Sequence, residues 1–145
     1  MSDHHPILEA FLKAEGPTPV ISPLAEAMNG QIQELDPATG LAVLSFEPDA
    51  RYLQGAGVIQ GGIVAAMLDF AMALSAFAKL PPGRSVGTVS LTTHFLKPVL
   101  PGRHIARSRL DRLGGKLIFA SAELFADGAP APLATATAVM AIVNL

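Results

Sequence analysis

The chain lacks cysteine and lacks an excess of positive charge, and each absence excludes a class of protein. With no cysteine among 145 residues, the chain has no disulfide, no thiolate metal ligand and no cysteine nucleophile. This composition fits a reducing compartment. Ten Lys and Arg against twelve Asp and Glu give a formal net charge of −2, so the basic surface that nucleic-acid binding requires is missing. We therefore expect no nucleic-acid partner.

Two patterns of known catalytic sites are also missing. The histidines His4, His5, His94 and His104 show no metal-ligand spacing with acidic partners, so we expect no metal and place His4 and His5 in a frayed terminus. The Gly-x-Ser-x-Gly turn that carries the nucleophile of serine hydrolases does not occur in the chain.

The sequence shows no targeting or membrane signal. Glu9 and Lys13 interrupt the apolar positions near the N-terminus, which is not the pattern of a signal peptide. The most apolar stretch, residues 62–80, has Asp69 near its middle and is rich in alanine, so a buried helix is favoured over a membrane span. We expect a cytoplasmic protein without a membrane partner.

Half of the residues are hydrophobic, which is enough for the core of one domain spanning residues 1–145. Periodicity and turn residues predict a helix at 7–15, a short helix beginning at Pro23, strands at 31–35 and 41–46, a long helix at 62–80 and four further strands. Those four strands are predicted at 85–96, 104–113, 116–125 and 133–143. Residues 1–29 thus form an N-terminal helical segment, and the rest predicts an α+β fold with an antiparallel sheet curled around one long helix.

The most informative motif is the stretch QGAGVIQGG at residues 54–62, followed by Asp69 inside the apolar helix. Unpaired backbone N–H groups around Gly61 and Gly62 would lie at the positive end of the helix and suit an oxygen that gains negative charge. A carboxylate in an apolar helix is costly unless it is hydrogen-bonded, paired or used in chemistry. The glycine spacing does not fit a dinucleotide-binding loop.

This motif resembles that of the hotdog-fold acyl-CoA thioesterases of the phenylacetate-pathway (PaaI-like) type. The similarity covers residues 30–143 in element order: Gln54 falls where the family has Asn or Gln, and Thr88 where it has Ser or Thr. The departure is Gln60, because the family usually has His before the two glycines. The resemblance implies a hotdog fold and hydrolysis of acyl-CoA thioesters, with coenzyme A as part of the substrate and no separate cofactor.

In this interpretation the backbone around Gly61 polarises the thioester carbonyl, Asp69 acts as general base or as nucleophile, and Thr88 holds the attacking water. Gln54 is a further catalytic candidate, while Gln60 and Gly62 are candidates for substrate binding. Structural alternatives stay open for all of them: turn glycines, loop glutamines, a capping carboxylate and an ordinary strand threonine. A subset of seven basic residues in the second half, Arg84, Lys97, Arg103, Arg107, Arg109, Arg112 and Lys116, is a candidate for binding phosphates, and a solvated strand face is the alternative.

Helix geometry adds a prediction about assembly. Eight residues of helix rise about 12 Å, so Gly61 and Asp69 of one chain can hardly contact one thioester carbon. We therefore predict a homodimer in which Gln54 and Gly61 of one subunit face Asp69 and Thr88 of the other, and the resemblance implies that dimers pair into tetramers. The alternatives are a non-catalytic acyl-CoA binding module, which Gln60 favours, and a hotdog-fold enoyl-CoA hydratase, which Leu74 disfavours because hydratases carry His there.

Overall fold

The computed structural model describes residues 3–145, which form three α-helices, one 3-10 helix and seven strands. The helices are α1 (Pro6–Lys13), α2 (Pro23–Ala27), the 3-10 helix (Ala50–Tyr52) and α3 (Gly61–Phe77). The strands are β1 (Thr18–Pro19), β2 (Gln31–Leu35), β3 (Ala42–Phe46), β4 (Arg84–Phe95), β5 (His104–Leu113), β6 (Leu117–Ala126) and β7 (Ala134–Asn144).

All seven strands pair antiparallel in one sheet with the order β1-β2-β3-β5-β6-β7-β4. The sheet curls around α3 without closing, so β1 and β4 are its two edges. β4 pairs with β7 along its whole length, from Arg84 opposite Asn144 to Phe95 opposite Ala134. The predicted α+β fold with a curled antiparallel sheet around a long helix is confirmed.

Helix α3 turns one side to the sheet and the other side outward. The sheet-facing side is fully buried and includes Met67, Leu68, Ala71 and Met72. Ser75 is also buried, and its hydroxyl lies 2.7 Å from that of Ser108 on β5, so the polar groups of both residues are satisfied at the helix–sheet contact. This contact fixes the rotation of α3 and thereby decides which residues point outward.

The outward side of α3 departs from the prediction of a helix buried all round. Gly62 is exposed, and Asp69, Ala73 and Phe77 are only half-buried, because the sheet covers one side of the helix and the N-terminal segment covers only part of the rest. Successive positions in this set are seven, four and four residues apart, which places them on one face of the helix. Asp69 is therefore accessible from outside the chain.

Most predicted elements are present with shifts of a few residues at their ends. The long helix ends at Phe77, before the predicted Leu80, and the backbone N–H of Ala78 closes its last turn. The two-residue strand β1 and the 3-10 helix were not predicted. No helix in residues 3–145 is long and apolar enough to cross a membrane.

The N-terminal segment packs on the fold, so the prediction that His5 lies in a frayed terminus is wrong. His5 is only 6% exposed, and its ring stacks on Phe77 with centroids 4.3 Å apart. Its Nδ1 also accepts a hydrogen bond from the backbone N–H of Ile7 at 3.3 Å and so caps α1. Aromatic stacking against the end of α3 supplies the burial that composition alone did not indicate.

Candidate active site

Asp69 and Thr88 form one pair of candidate residues within the chain. The Thr88 hydroxyl donates a hydrogen bond of 2.8 Å to Oδ1 of Asp69, which joins the middle of α3 to the edge strand β4. Among the described residues no Lys, Arg or His forms an ion pair with Asp69. The carboxylate is thus held by a neutral donor and keeps its second oxygen for other partners.

A β-bulge in β4 aims Thr88 at the helix. Thr88 is opposite Met140 and Ser90 is opposite Val139, so Val89 is an extra residue without a partner in β7. Side chains alternate along a regular strand, and a bulge shifts that alternation by one. Because of this shift, both Thr88 before the bulge and Phe95 after it contact α3.

The loop before α3 places a second pair of candidates at the start of the helix. Residues 54–60 form a compact turn in which the backbone N–H of Gln54 donates to the Val58 carbonyl at 2.8 Å and Gly57 has a φ of 81°. The side-chain Oε1 of Gln54 accepts a hydrogen bond from the backbone N–H of Ala56 at 2.9 Å. Gln54 therefore organises this loop through its oxygen, and its amide nitrogen has no acceptor among residues 3–145.

The first turn of α3 presents unpaired donors. Gln60 is the N-cap and makes no side-chain capping bond, while its carbonyl accepts from the N–H groups of Ile63 at 2.9 Å and Val64 at 3.2 Å. The N–H groups of Gly61 and Gly62 have no acceptor within the described chain. They are unsatisfied donors at the positive end of the helix dipole, which is a favourable place for a developing oxyanion.

These two glycines differ in their surroundings. A Cβ added at Gly61 would lie 3.3 Å from Cζ of Phe95, whereas one added at Gly62 would meet no atom within 4 Å. Phe95 itself is 56% exposed. The ring therefore covers one side of the helix start and leaves the Gly62 side open.

A half-open cavity of about 530 Å³ lies against this helix start, and we call it the loop cavity. Its wall combines the loop with the end of β4 and the segment that follows it. The lining residues are Gln54, Ala56, Val58, Ile59, Gly61, Val64, Phe95, Leu96, Lys97, Pro98 and Val99.

The structure brings the candidates together in two pairs and keeps the pairs apart. Gln54 and Gly61 line the loop cavity, whereas Asp69 and Thr88 do not. Eight residues of α-helix separate Gly61 from Asp69, a rise of about 12 Å. A single chain therefore does not place the carboxylate and the backbone donors around one carbon atom.

Most of the charged candidates are already paired or lie away from the site. Arg103 bridges to Asp127 at 2.7 Å and Arg109 to Asp111 at 3.3 Å. Lys97 differs, because it lies at the loop cavity, is exposed and forms no ion pair with any described residue. Of the seven basic residues considered for phosphate binding, Lys97 is thus the one that lines this cavity.

The histidines lie outside both pairs of candidates. His104 is buried at the start of β5, where burial lowers its pKa and a backbone hydrogen bond with Gly102 acts in the opposite direction. Its Nδ1 has no hydrogen-bond partner. Within residues 3–145 no three His, Asp or Glu side chains are grouped so that they could hold a metal ion.

Comparison with known proteins identifies the family. A model described as Thioesterase superfamily matches residues 56–131, which include most of the loop, all of α3 and strands β4 to β6. The chain belongs to the thioesterase superfamily. This thioesterase is a thioester hydrolase with a PaaI-like hotdog fold, as its sequence motif predicted.

Solved structures resemble this thioesterase over most of its length. A phenylacetic acid degradation-related protein from Ralstonia eutropha JMP134 is 32% identical with a TM-score of 0.80, covering 92% of this chain and 97% of that one. A thioesterase family protein from Silicibacter pomeroyi is 26% identical with a TM-score of 0.79, covering 96% of each chain. A variant of PaaI from Thermus thermophilus is 26% identical with a TM-score of 0.72, covering 83% and 98%. A search of curated proteins finds no match.

The sequence did not predict two features of the site in this thioesterase. The bulge at Val89 has no residue signature in the sequence, and its effect on Thr88 and Phe95 depends on pairing with β7. Lys97 was one of seven basic candidates, and its position directly after the predicted strand 85–96 and beside Pro98 was the only signal that separated it. Both features arise from contacts between segments distant in the chain.

Proposed function

We propose that this thioesterase hydrolyses acyl-CoA thioesters in a site formed by two copies of the chain. The observation that carries the proposal is the split arrangement of the candidates. Gln54 and Gly61 line one cavity, Asp69 of α3 and Thr88 of β4 form a hydrogen-bonded pair elsewhere, and each pair lacks what the other provides. A two-fold axis that brings the loop cavity of one subunit to Asp69 of its partner creates two complete sites.

The exposed edge of the sheet supports a two-fold assembly. β4 is twelve residues long, pairs on one side only and lies at the end of the sheet. An unpaired strand edge of this length is a template for pairing with another chain. Gly62 on the outward side of α3 is exposed and has no side chain, so a second subunit can approach this part of the helix closely. A pairing of such dimers into tetramers is a further part of the proposal.

The helix start polarises the carbonyl. The free N–H groups of Gly61 and Gly62 would donate to the thioester oxygen, and these bonds become stronger as negative charge develops on it in the tetrahedral intermediate. The side of the helix start at Gly62 is open to the incoming group, because even a Cβ added there would meet no atom within 4 Å. The amide of Gln54 is available as an additional donor because only its oxygen is used by the loop.

Asp69 supplies the second half of the chemistry. As general base it takes a proton from water while the water oxygen bonds to the carbonyl carbon, and collapse of the intermediate breaks the C–S bond and releases the coenzyme A thiolate. As nucleophile it bonds to that carbon directly, releases the thiolate and leaves a mixed anhydride that water then hydrolyses. In both routes Thr88 orients the carboxylate through its 2.8 Å hydrogen bond.

Gln60 stands where the related enzymes usually have His. Its amide can donate and accept hydrogen bonds but carries no titratable proton. Its side chain is exposed and makes no capping bond, so it is free to hold the acyl carbonyl or to order the substrate. The thiolate then leaves without protonation by this residue.

Lys97 is the proposed contact for the coenzyme A end of the substrate. It is an exposed cation at the edge of the loop cavity and has no ionic partner among the described residues. A lysine ammonium group suits a phosphate as a point charge. Replacing Lys97 by Met should raise KM several-fold at low salt and change kcat little.

Thiol release measured with a panel of acyl-CoAs tests the proposed reaction. Wild type should release coenzyme A, and Asp69→Asn should not. Turnover that survives this substitution would remove Asp69 from the mechanism. An active monomer in analytical ultracentrifugation would refute the shared site.

A further inference from the structure

A second cavity lies on the other flank of α3, between that helix and the N-terminal segment. We call it the N-terminal cavity. Its volume is about 340 Å³, and its walls come from α1, the segment 18–22, β2 and α3. The residues that line it include Ile7, Ala10, Ile21, Phe70, Ala73 and Phe77. The family model covers residues 56–131, so α1 and the segment 18–22 lie outside the matched region.

The cavity comes within one helical turn of the proposed catalytic carboxylate, although Asp69 itself does not line it. Phe70 directly follows Asp69 in the chain, and Ala73 lies one helical turn further along. Side chains four residues apart on a helix have Cβ atoms about 6 Å apart. Ala73 is half-buried on the outward face that also carries Asp69, so a group bound near Asp69 reaches the cavity wall within a few bonds.

The chemistry of the lining selects an apolar occupant. Thr18 and Ser22 are the only residues of the wall with polar side chains, and none of the wall residues is charged. A cavity of about 150 Å³ lined by aliphatic and aromatic side chains is already large enough to bind benzene. The N-terminal cavity therefore has room for an aryl ring with substituents or for a chain of medium length.

We propose that the N-terminal cavity holds the acyl group of the thioester substrate, so that the N-terminal segment sets acyl-chain selectivity. The assignment rests on the proposed function, because it assumes that the thioester carbon lies next to the Asp69 carboxylate. The coenzyme A part of the bound substrate then extends toward the loop cavity of the partner subunit, and the acyl part extends along α3 toward Phe77. Uncharged acyl groups of medium length without polar substituents are the substrate class that this lining fits.

The aromatic wall is held in place by the N-terminal helix. His5 stacks on Phe77 at 4.3 Å and caps α1 through Ile7. This stack connects the start of α1 to Phe77, the last residue of α3, which lines the cavity. The depth available to an acyl chain is set by this contact, and the width beside Asp69 is set by Ala73.

Two substitutions that fill the cavity from opposite walls test the proposal. Ala73→Leu fills it from α3 next to Asp69, and Ala10→Leu fills it from α1. Ala14→Leu is the matched control, since Ala14 lies just beyond α1, is exposed and does not line the cavity. Acyl-CoAs from acetyl to dodecanoyl are assayed with all four proteins, and light scattering checks that each keeps the same oligomeric mass.

Wild type and Ala14→Leu should share one chain-length optimum. Both filling variants should lose about tenfold or more in kcat/KM for octanoyl-CoA, while acetyl-CoA changes by about twofold or less, because the extra side-chain carbons compete with the acyl chain for the same space. An identical chain-length profile in all four proteins would overturn the assignment and leave the proposed reaction standing.

Binding of unreactive analogues separates the cavity from the reaction. Calorimetry with the S-octyl and S-ethyl thioethers of coenzyme A should show that Ala73→Leu and Ala10→Leu weaken the octyl compound about tenfold and the ethyl compound about twofold or less. This result supports the cavity even if no acyl-CoA is hydrolysed, in which case the proposed reaction alone fails. Equal octyl affinity in wild type and both filling variants overturns the cavity whatever the turnover.

Discussion

The start and the middle of helix α3 provide two different kinds of chemistry. At the start, the useful groups are backbone N–H donors of Gly61 and Gly62, held by a loop whose own hydrogen bonds fix its shape. In the middle, the useful groups are the side chains of Asp69 and Thr88, joined across α3 and β4. The first half-site therefore depends on backbone geometry and the second on side-chain identity, so different substitutions should disable each.

The largest effect on kcat is expected in the half-site that consists of the Asp69 and Thr88 side chains. Asp69→Asn keeps the shape and an oxygen that accepts from Thr88, but it removes the base or nucleophile, so kcat should fall by roughly 10²- to 10⁴-fold. Thiol release under saturating substrate measures this. Asp127→Asn is the control, because it breaks an exposed ion pair with Arg103 and should leave kcat unchanged.

The next largest effect on kcat is expected in the half-site that consists of the backbone N–H groups of Gly61 and Gly62. Gly61→Pro removes an N–H at the first helical position, where proline is well tolerated, and the extended ψ of 136° at Gln60 suits the residue before proline. Loss of one oxyanion donor should lower kcat by roughly 10²- to 10³-fold.

Gly61→Ala is the matched control for this donor. It keeps the N–H and adds a methyl group near the Phe95 ring, which is exposed enough to move. Most of the activity should therefore remain in Gly61→Ala. If both variants lose the same activity, steric exclusion explains the glycine and the N–H of residue 61 does not polarise the carbonyl.

A smaller effect is expected when the carboxylate loses its positioning partner. Thr88→Val preserves the shape of the side chain and removes the hydroxyl that donates to Asp69, so kcat should fall about tenfold, which is the low end of what one hydrogen bond to a charged group contributes, because Thr88 is exposed. Thr88→Ser retains the donor and should recover most of that loss. Equal activity of the Val and Ser variants would show that the hydroxyl is not needed to orient Asp69.

The smallest effect concerns stability in acid, which must be separated from effects on either half-site. Burial lowers the folded-state pKa of His5 below its usual 6.5, with a backbone hydrogen bond to Arg84 acting in the opposite direction. The unfolded chain then binds more protons, so stability is complete above pH 6.5 and decreases as the pH falls from 6.5 toward the folded pKa.

The contribution of each such histidine is at most about 1.4 kcal/mol per pH unit. Urea unfolding of wild type and His5→Asn between pH 5 and pH 7.5 measures it. His104 has the same sign and remains in both proteins, so the difference between the two curves isolates His5. Parallel curves would show that His5 takes up its proton equally well in the folded state.

Sequence patterns predicted most of the fold because its elements have strong local signals. Turn residues such as Asp36 to Gly40 and the break at Pro81-Pro82 separate regular apolar periods, and the spacing from Gly61 to Asp69 carries the family resemblance. The sequence could not predict the bulge at Val89 or the stacking of His5 on Phe77, because both depend on segments that meet only after folding. The prediction that Gly61 and Asp69 belong to different subunits follows from helix rise alone and is still a prediction.

Complementation between two inactive subunits tests the shared site most directly. Asp69→Asn and Gly61→Pro chains are co-expressed with different tags, and heterodimers that carry both tags are isolated. One site of each heterodimer then combines both defects and the other combines none, so about half of the wild-type rate per dimer should return. A rate no higher than the mean of the two separate variants would contradict the account, because each chain would then carry its whole active site alone.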